Sequence, residues 1–292
     1  MYKRQGLTSG PYYPGVSTYN SSDSFTLNFG QKPFKFPPPD GFQALTGPTI
    51  RPETVVPDPD QYVDVKTYAG NGGTQLVGDF NFSPDLVWLK ARDGALNHRL
   101  INTVNGVTST LASNLSTAGV NSSAEFTKFT DDGFSVTQGG SFSLNSSSYD
   151  YVAWGWKAGG SKNTFNIDDV GYASAAAAGL DGGSITPTGA SVGTKQGFSI
   201  IKYPGTDTGS SQTIPHGLNE PPVFWMYKNI TQGADWVVYT TIIDGGSDYL
   251  KLNATTGASS GVSPWSTLPT NSVVTVLSLI HISEPTRLLS IA

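Results

Sequence analysis

The chain has 292 residues, enough for about two domains of average size, and its formal net charge is −5 at neutral pH. Charged residues make up only 13% of the chain and aromatic residues 11%, while glycine contributes 34 residues. This composition argues against a helical protein and favours short strands joined by many turns. Cysteine is absent, which excludes disulfides, thiolate metal sites and a cysteine nucleophile. The sequence contains no run of Lys and Arg residues, so the basic patch that is typical of a nucleic-acid-binding protein is missing.

The two ends of the chain share one nucleotide pattern. Residues Leu277 to His281 can be written in codons whose reverse complement encodes Met1 to Gln5 from a GTG start. Such ends are typical of read-through of a sequencing-library adaptor. We therefore predict that residues 1–5 and 277–292 are adaptor artefacts and that the rest is an internal fragment of a longer protein.

Two further segments precede the main part of the chain. The stretches Leu27 to Phe34 and Pro38 to Leu45 resemble the C-terminal end of SPRY-type, concanavalin-like sandwiches in phage structural proteins. The resemblance implies that residues 6–45 are a remnant of such a domain, and a generic proline-rich strand end is the alternative. Residues 46–60 repeat Pro between Asp and Thr, which predicts an extended proline-rich linker.

An internal repeat predicts the fold of the remainder. In unbroken order, residues 66–70 correspond to 201–205, 84–89 to 221–226, 96–98 to 234–236 and 133–136 to 273–276, and Asn114 corresponds to Asn253. Short β-prone runs alternate with Asp-Gly and Asn-Gly turns. We predict an all-β, jelly-roll-like β-sandwich built from two repeated halves, residues 61–160 and 197–276, joined by a connecting segment at 161–196. Chance similarity between two β-rich stretches is the alternative.

The second half is predicted to be truncated. The first half closes with the strand Tyr149 to Trp156, which has apolar residues on both faces and is expected to be covered on both sides. The second half ends before its equivalent strand, so we expect an open sheet edge there. Five tryptophans are expected to be mostly buried, whereas an exposed row of three or more would indicate a carbohydrate-stacking surface. They are Trp88, Trp154, Trp156, Trp225 and Trp236.

Few residues are suited to catalysis. Outside the end segments the histidines are His98, which aligns with the packing residue Trp236, and His216, which lies in a Pro-His-Gly turn. Neither histidine lies near a G-x-S-x-G motif. The native glutamates are Glu53, Glu125 and Glu220, so a glycosidase acid pair would depend on aspartate.

Metal and phosphate motifs are also incomplete. The pairs Asp131-Asp132 and Asp168-Asp169 lack calcium-loop spacing and are interpreted as solvated turn acids, with calcium as the open alternative. The stretch Gly70 to Gly73 lacks the lysine and helix of a phosphate loop and is interpreted as a hairpin turn. We therefore predict no catalytic residue, no metal ligand and no cofactor, and the sequence identifies no ligand-binding residue.

Several strings together resemble a known family over residues 61–276. They include Pro84 to Lys90 (P-D-L-V-W-L-K), Ala153 to Gly160 (A-W-G-W-K-A-G-G) and Ile214 to Leu218. These strings resemble a domain of unknown function that is common in marine tailed-phage proteins, although Gly155 stands where that family often has Cys or Asn. The resemblance implies a virion or tail-fibre component and supplies no catalytic residues.

These observations predict a non-enzymatic phage structural protein, a tail-fibre or other virion surface module that takes part in host-surface recognition. Specificity is expected in the loops Gly139 to Ser148 and Asp207 to Gln212. The expected localisation is the virion, and the expected partners are other virion proteins and host-cell surface glycans. We expect no nucleic acid, no membrane insertion, and a homo-oligomer in the full-length protein. A virion-associated polysaccharide depolymerase and a passive decoration or spacer domain are the alternatives.

Overall fold

A computed structural model describes residues 58–121, 125–206, 210–242, 248–259, 265, 267–277 and 286–291, and the single residues Thr26, Asn28, Lys32, Phe36 and Val56. The chain divides into two compact units, residues 1–55 and 56–292. Nearly all of the first unit lies outside the described residues, including the adaptor segment 1–5 and most of the sandwich remnant and linker predicted over 6–60. Those assignments stay predictions.

The described part of the second unit consists of strands and turns, with one short 3-10 helix at Pro59–Gln61 and no α-helix. Among the described residues, no helix is long and apolar enough to cross a membrane. The strands of the first half are β1 Val63–Ala69, β2 Thr74–Val77, β3 Leu86–Ala91, β4 Arg99–Asn102, β5 Ser109–Thr110, β6 Val120–Asn121, β7 Phe126–Thr130, β8 Gly133–Thr137 and β9 Asp150–Trp156. The strands that follow are β10 Phe165–Ile167, β11 Val170–Tyr172, β12 Gly189–Gly193, β13 Phe198–Tyr203, β14 Ser211–Pro215, β15 Phe224–Asn229, β16 Val237–Thr240, β17 Leu250–Lys251, β18 Val273–Leu277 and β19 Thr286–Ile291.

The predicted all-β sandwich fold is confirmed, and the main sheets of the two halves have the same strand order. The first half packs the sheet β1-β9-β3-β4 against the sheet β2-β8-β7. The second half contains the order β13-β19-β15-β16 within a larger sheet and packs it against the pair β14-β18. A core of buried apolar residues fills each sandwich, because alternate residues of every strand face inward.

The repeat extends to individual hydrogen bonds. The Asn114 side chain donates to Asn97 Oδ1 at 2.8 Å and accepts from the backbone N–H of His98 at 3.1 Å. Asn253 makes the same contacts in the second half, to Asp235 Oδ1 and from the N–H of Trp236, each at 2.8 Å. Two β-rich stretches that are similar only by chance are not expected to share an asparagine that makes the same two hydrogen bonds.

The end of the second half differs from expectation. Strand β19 pairs antiparallel with both β13 and β15, just as β9 pairs with β1 and β3. The prediction of an open edge at this position is therefore wrong. Strands β13 and β15 present facing rows of backbone N–H and C=O groups, and any extended segment of suitable length can pair with both rows. Strand β19 lies within residues 277–292, whose adaptor origin stays a prediction about the nucleotide sequence.

The two sandwiches pack face to face through a third apolar cluster, which makes a structure of four layers. Leu86 and Leu100 of the first half and Phe198, Ile200 and Met226 of the second half belong to this cluster. The cluster joins the outer face of β1-β9-β3-β4 to the outer face of the larger sheet. Because both faces of this sheet are covered, nearly every residue of β13 and β15 is buried.

The segment predicted as a connection, residues 161–196, contributes three strands to the larger sheet. Strands β10 and β11 form a hairpin, and β10 pairs in parallel with β12, which pairs in turn with β13. This arrangement covers the edge of β13 that corresponds to the outer edge of β1. The two halves therefore differ at this edge: β1 pairs with β9 alone among the described strands.

Candidate functional site

The outer face of the first-half sheet is only partly covered by the second half, and it carries two tryptophans side by side. In the strand register Val65 lies opposite Trp154, and Trp154 lies opposite Trp88. The two indole rings meet edge to face with centroids 6.2 Å apart. Val63 and Val65 on the edge strand β1 are 43% and 47% exposed. We call Val63, Val65, Trp88 and Trp154 the tryptophan face.

The five tryptophans predicted to be mostly buried differ in their burial. Trp225 and Trp236 are fully buried, as expected. Trp88, Trp154 and Trp156 are half-buried, and Trp154 belongs to none of the three apolar clusters of the described chain. The outer face of β9 is covered at Trp156, which packs against the cluster between the halves. The cover is incomplete at Trp154, because the second half leaves the β1 side of the sheet open.

His98 lies at the rim of this face. The Trp88 indole N–H donates to His98 Nδ1 at 2.9 Å. Partial burial, and secondarily the nearby Lys90 ammonium, lower the pKa of His98 below its ordinary value. The ring is therefore neutral at physiological pH, and with Nδ1 acting as acceptor its proton resides on Nε2. That N–H is free of any described partner and can donate to a ligand.

A polar cleft of about 410 Å³ opens where the two halves and the connecting segment meet. Its polar lining includes Thr103 after β4, Asn163 and Thr164 before β10, Asn166 on β10, Thr188 before β12, and Lys202 on β13. The wall is held by backbone hydrogen bonds from Thr188 N–H to the Lys202 carbonyl and from Ala190 N–H to the Thr164 carbonyl. We call this space the junction cleft.

Behind the cleft wall, Asp85 connects three segments of the chain. Its carboxylate accepts from the backbone N–H of Ala158 and Gly160 and from Thr103 Oγ1 at 2.8, 3.0 and 3.0 Å. Burial raises the pKa of Asp85 above its usual value, and the backbone hydrogen bonds oppose that shift. A buried carboxylate with all its partners in place holds structure and is not accessible to a substrate.

A second buried acid, Glu125, fixes the loop Gly139 to Ser148. Its two carboxylate oxygens accept from the backbone N–H of Phe142 and Leu144 at 2.7 and 2.8 Å. The Tyr68 hydroxyl donates to the Leu144 carbonyl at 2.7 Å, and Asn145 is buried. This loop, in which we expected binding specificity, is therefore pinned into the core of the first half. Residues 207–209 of the other expected loop lie outside the described residues.

The remaining chemical candidates are structural. His216 is buried, with Nδ1 accepting from Leu218 N–H and Nε2 bonded to the Thr270 carbonyl. Asp131 and Asp132 form the exposed turn between β7 and β8. Glu220 is exposed, and Glu53 lies outside the described residues.

The turn between β10 and β11 holds the other acidic pair. Asp168 and Asp169 both have a positive φ, 48° and 67°, as a two-residue hairpin turn requires. Asp168 accepts from Thr194 N–H, and Asp169 pairs with Lys157 at 2.7 Å. Within the described ranges, no group of three or more His, Asp and Glu side chains is placed to hold a metal ion.

The glycine-rich stretch from Gly70 to Gly73 leads from one sheet of the first sandwich to the other. It connects β1 to β2, which do not pair, so the hairpin interpretation is wrong in detail although the segment is a tight turn. A side chain at Gly70 would place Cβ 2.0 Å from the Ser146 carbonyl oxygen. The glycine is required by this close approach and not by a phosphate.

Residues 58–286 match the family described as Domain of unknown function (DUF7483). The chain belongs to this family. Comparison with curated proteins and with solved structures found no match. The matched range contains both halves and the connecting segment, so the four-layered arrangement is the architecture of this DUF7483 domain.

Sequence reasoning missed both candidate sites of the DUF7483 domain. The tryptophan face was missed because a strand with apolar residues on both sides does not reveal how far its second cover extends. The junction cleft was missed because its polar residues are neutral apart from one lysine and come from four separate segments. The string A-W-G-W-K-A-G-G did carry a signal: Trp154 lies on the tryptophan face, and Ala158 and Gly160 bind Asp85 behind the cleft.

Proposed function

We propose that this DUF7483 domain is a non-enzymatic surface module of a tailed-phage virion, in a tail fibre or a similar exterior part, that binds glycans of the host surface. The observation that carries the proposal is Trp154, a half-buried indole on an incompletely covered sheet face that also exposes Val63 and Val65. Clusters of exposed apolar side chains on a folded domain mark interaction sites more often than chance exposure.

A glycan suits this face for two reasons. The C–H faces of sugar rings pack on indole rings, and an edge-to-face pair of indoles offers a ring surface held rigid by its neighbour. His98 supplies a neutral N–H donor at the rim, which can bind a sugar hydroxyl while Trp88 fixes the orientation of the imidazole. The combination of an apolar surface and a few directed polar groups is typical of small-molecule recognition.

The hydrogen bonds that occupy the two buried acids support the proposal that the domain is not an enzyme. Glycoside hydrolysis requires two accessible carboxyl groups on either side of a sugar, one of them with a raised pKa. Asp85 has a raised pKa, but backbone and hydroxyl donors occupy its carboxylate. Glu125 is likewise bonded to two backbone N–H groups. The virion assignment is supported by the sequence resemblance alone.

The test is equilibrium binding of the purified chain to immobilised bacterial lipopolysaccharides and capsular polysaccharides. We expect saturable binding to at least one of them, weakened by about tenfold or more in Trp154→Ala, which corresponds to about 1.4 kcal/mol. Val65→Ser is expected to weaken binding as well. The matched control is Val223→Ser, a similarly exposed valine at 49% in the second half, which is expected to bind like the wild type.

Three results contradict the proposal. Absence of saturable binding to every polysaccharide favours the passive spacer. Release of reducing ends favours the depolymerase. Self-association that Trp154→Ala abolishes, without any glycan binding, identifies the tryptophan face as an interface between copies of the chain.

A further inference from the structure

The junction cleft is a second concave site, distinct from the tryptophan face. Its volume of about 410 Å³ lies within the range of about 300–1,000 Å³ found for small-molecule pockets. It is formed jointly by the first half, the connecting segment and the second half, because Thr103, Asn163 and Lys202 all line it. A site that needs all three parts exists only when the two halves are docked.

The cleft presents several polar groups without a protein partner. Asn163 uses its side-chain oxygen to accept from Thr164 N–H at 2.8 Å, which leaves its amide N–H₂ free of described partners. The Thr164 hydroxyl makes no hydrogen bond within the described residues, and the Thr188 hydroxyl makes only a long one, 3.4 Å, to the Lys202 carbonyl. Hydroxyl and amide groups of this kind suit a ligand that itself carries many hydroxyls.

Lys202 adds a positive charge to this neutral lining. Its ammonium makes no ion pair with any described residue, whereas Lys66, Lys157 and Lys251 each pair with an aspartate at 2.7 Å. The acid that contacts the cleft wall, Asp85, lies behind Thr103, is buried, and is bonded to three donors. Within an acidic chain, the cleft therefore offers a local cation to a ligand.

From these observations we infer that the junction cleft binds a sugar that carries a carboxylate, with Lys202 paired to the carboxylate and Asn163 and Thr164 bonded to ring hydroxyls. This inference rests on the proposed function, because it names an acidic glycan as the ligand class. The two sites are separate, so one acidic polysaccharide chain can use the cleft for charge recognition and the tryptophan face for stacking, or each can bind alone.

The test uses trigalacturonate, with galactotriose as the neutral probe, and isothermal titration calorimetry with the whole chain. We expect trigalacturonate to bind at least about tenfold more tightly than galactotriose, and Lys202→Gln to remove that preference. Lys128→Gln changes an exposed lysine on β7 and is the matched control that keeps the preference. Raising the salt concentration is expected to weaken the binding of trigalacturonate more than that of galactotriose.

Two results overturn the inference. One is the absence of trigalacturonate binding, and the other is binding that Lys202→Gln leaves unchanged while the variant keeps the thermal unfolding midpoint of the wild type. The two proposals fail separately. If polysaccharide binding persists, depends on Trp154 and is insensitive to Lys202→Gln, the cleft inference is wrong and the proposed function stands.

Discussion

Trp236 fixes the second half to the first, and its removal is the sharpest test of the four-layered fold. The residue is 2% exposed within the cluster between the halves, and its indole N–H donates to the Ala112 carbonyl of the first half at 2.8 Å. Trp236→Ala should cost about 3–5 kcal/mol through the lost apolar contacts. The Ala112 carbonyl, left buried without its donor, adds about 1 kcal/mol.

A loss of about 4–6 kcal/mol is a large fraction of the roughly 5–15 kcal/mol that stabilises a typical domain. It should lower the unfolding midpoint by about 10 °C or more in a chain of this size. Urea unfolding followed by far-ultraviolet circular dichroism measures the change without relying on tryptophan fluorescence. Trp236→Phe should cost only about 1–2 kcal/mol, because it keeps most of the apolar volume and loses the hydrogen bond. A cost below about 1 kcal/mol for Trp236→Ala would refute the docked arrangement.

Two other predictions concern the buried charges. Glu125→Gln should lower the free energy of unfolding in urea by about 1.5–3 kcal/mol, because it replaces charge-assisted hydrogen bonds to the loop backbone. The control Glu220→Gln changes an exposed acid and should cost less than about 0.5 kcal/mol. Equal costs for the two variants would contradict the role of Glu125. Burial lowers the pKa of Lys228 from 10.5 to about 8, so the folded state loses this proton before the unfolded state does. Stability should therefore rise between about pH 8 and pH 10, by about 2 kcal/mol at most, and Lys228→Met should abolish the rise; a fall in the wild type over the same interval would contradict the assignment.

Two lysines at equivalent positions show what the repeat could and could not predict. Lys90 and Lys228 end equivalent strands, and each donates to the carbonyls of the residues one and four positions further along. The predicted alignment of residues 84–89 with 221–226 would pair Lys90 with Tyr227, whereas the strands of the structure pair Lys90 with Lys228. The structure also shows that Lys228 reaches the Ser116 carbonyl of the first half. The contact depends on how the two halves dock, which local sequence patterns do not encode.

The strands, the turns and the repeat could be predicted because each depends on local alternation and turn chemistry. The loop from Gly139 to Ser148 could not, since its Ser, Asn and Gly residues resemble an exposed loop while Glu125 binds its backbone from a distant position. The partial exposure of Trp154 and the junction cleft depend on the extent of contact between two sheets. That extent is set by the tertiary packing of the halves, so neither candidate site was visible in the sequence.

The most direct test of glycan recognition is the two-dimensional ¹H–¹⁵N spectrum of the tryptophan indole groups during titration with a polysaccharide that binds. The chain has six tryptophans, which substitutions can assign one at a time. The account predicts that the indole resonances of Trp154 and Trp88 move with saturation, while those of the buried Trp225 and Trp265 stay in place. Movement of the buried indoles with no change at Trp154, or release of reducing sugar during the titration, would contradict it.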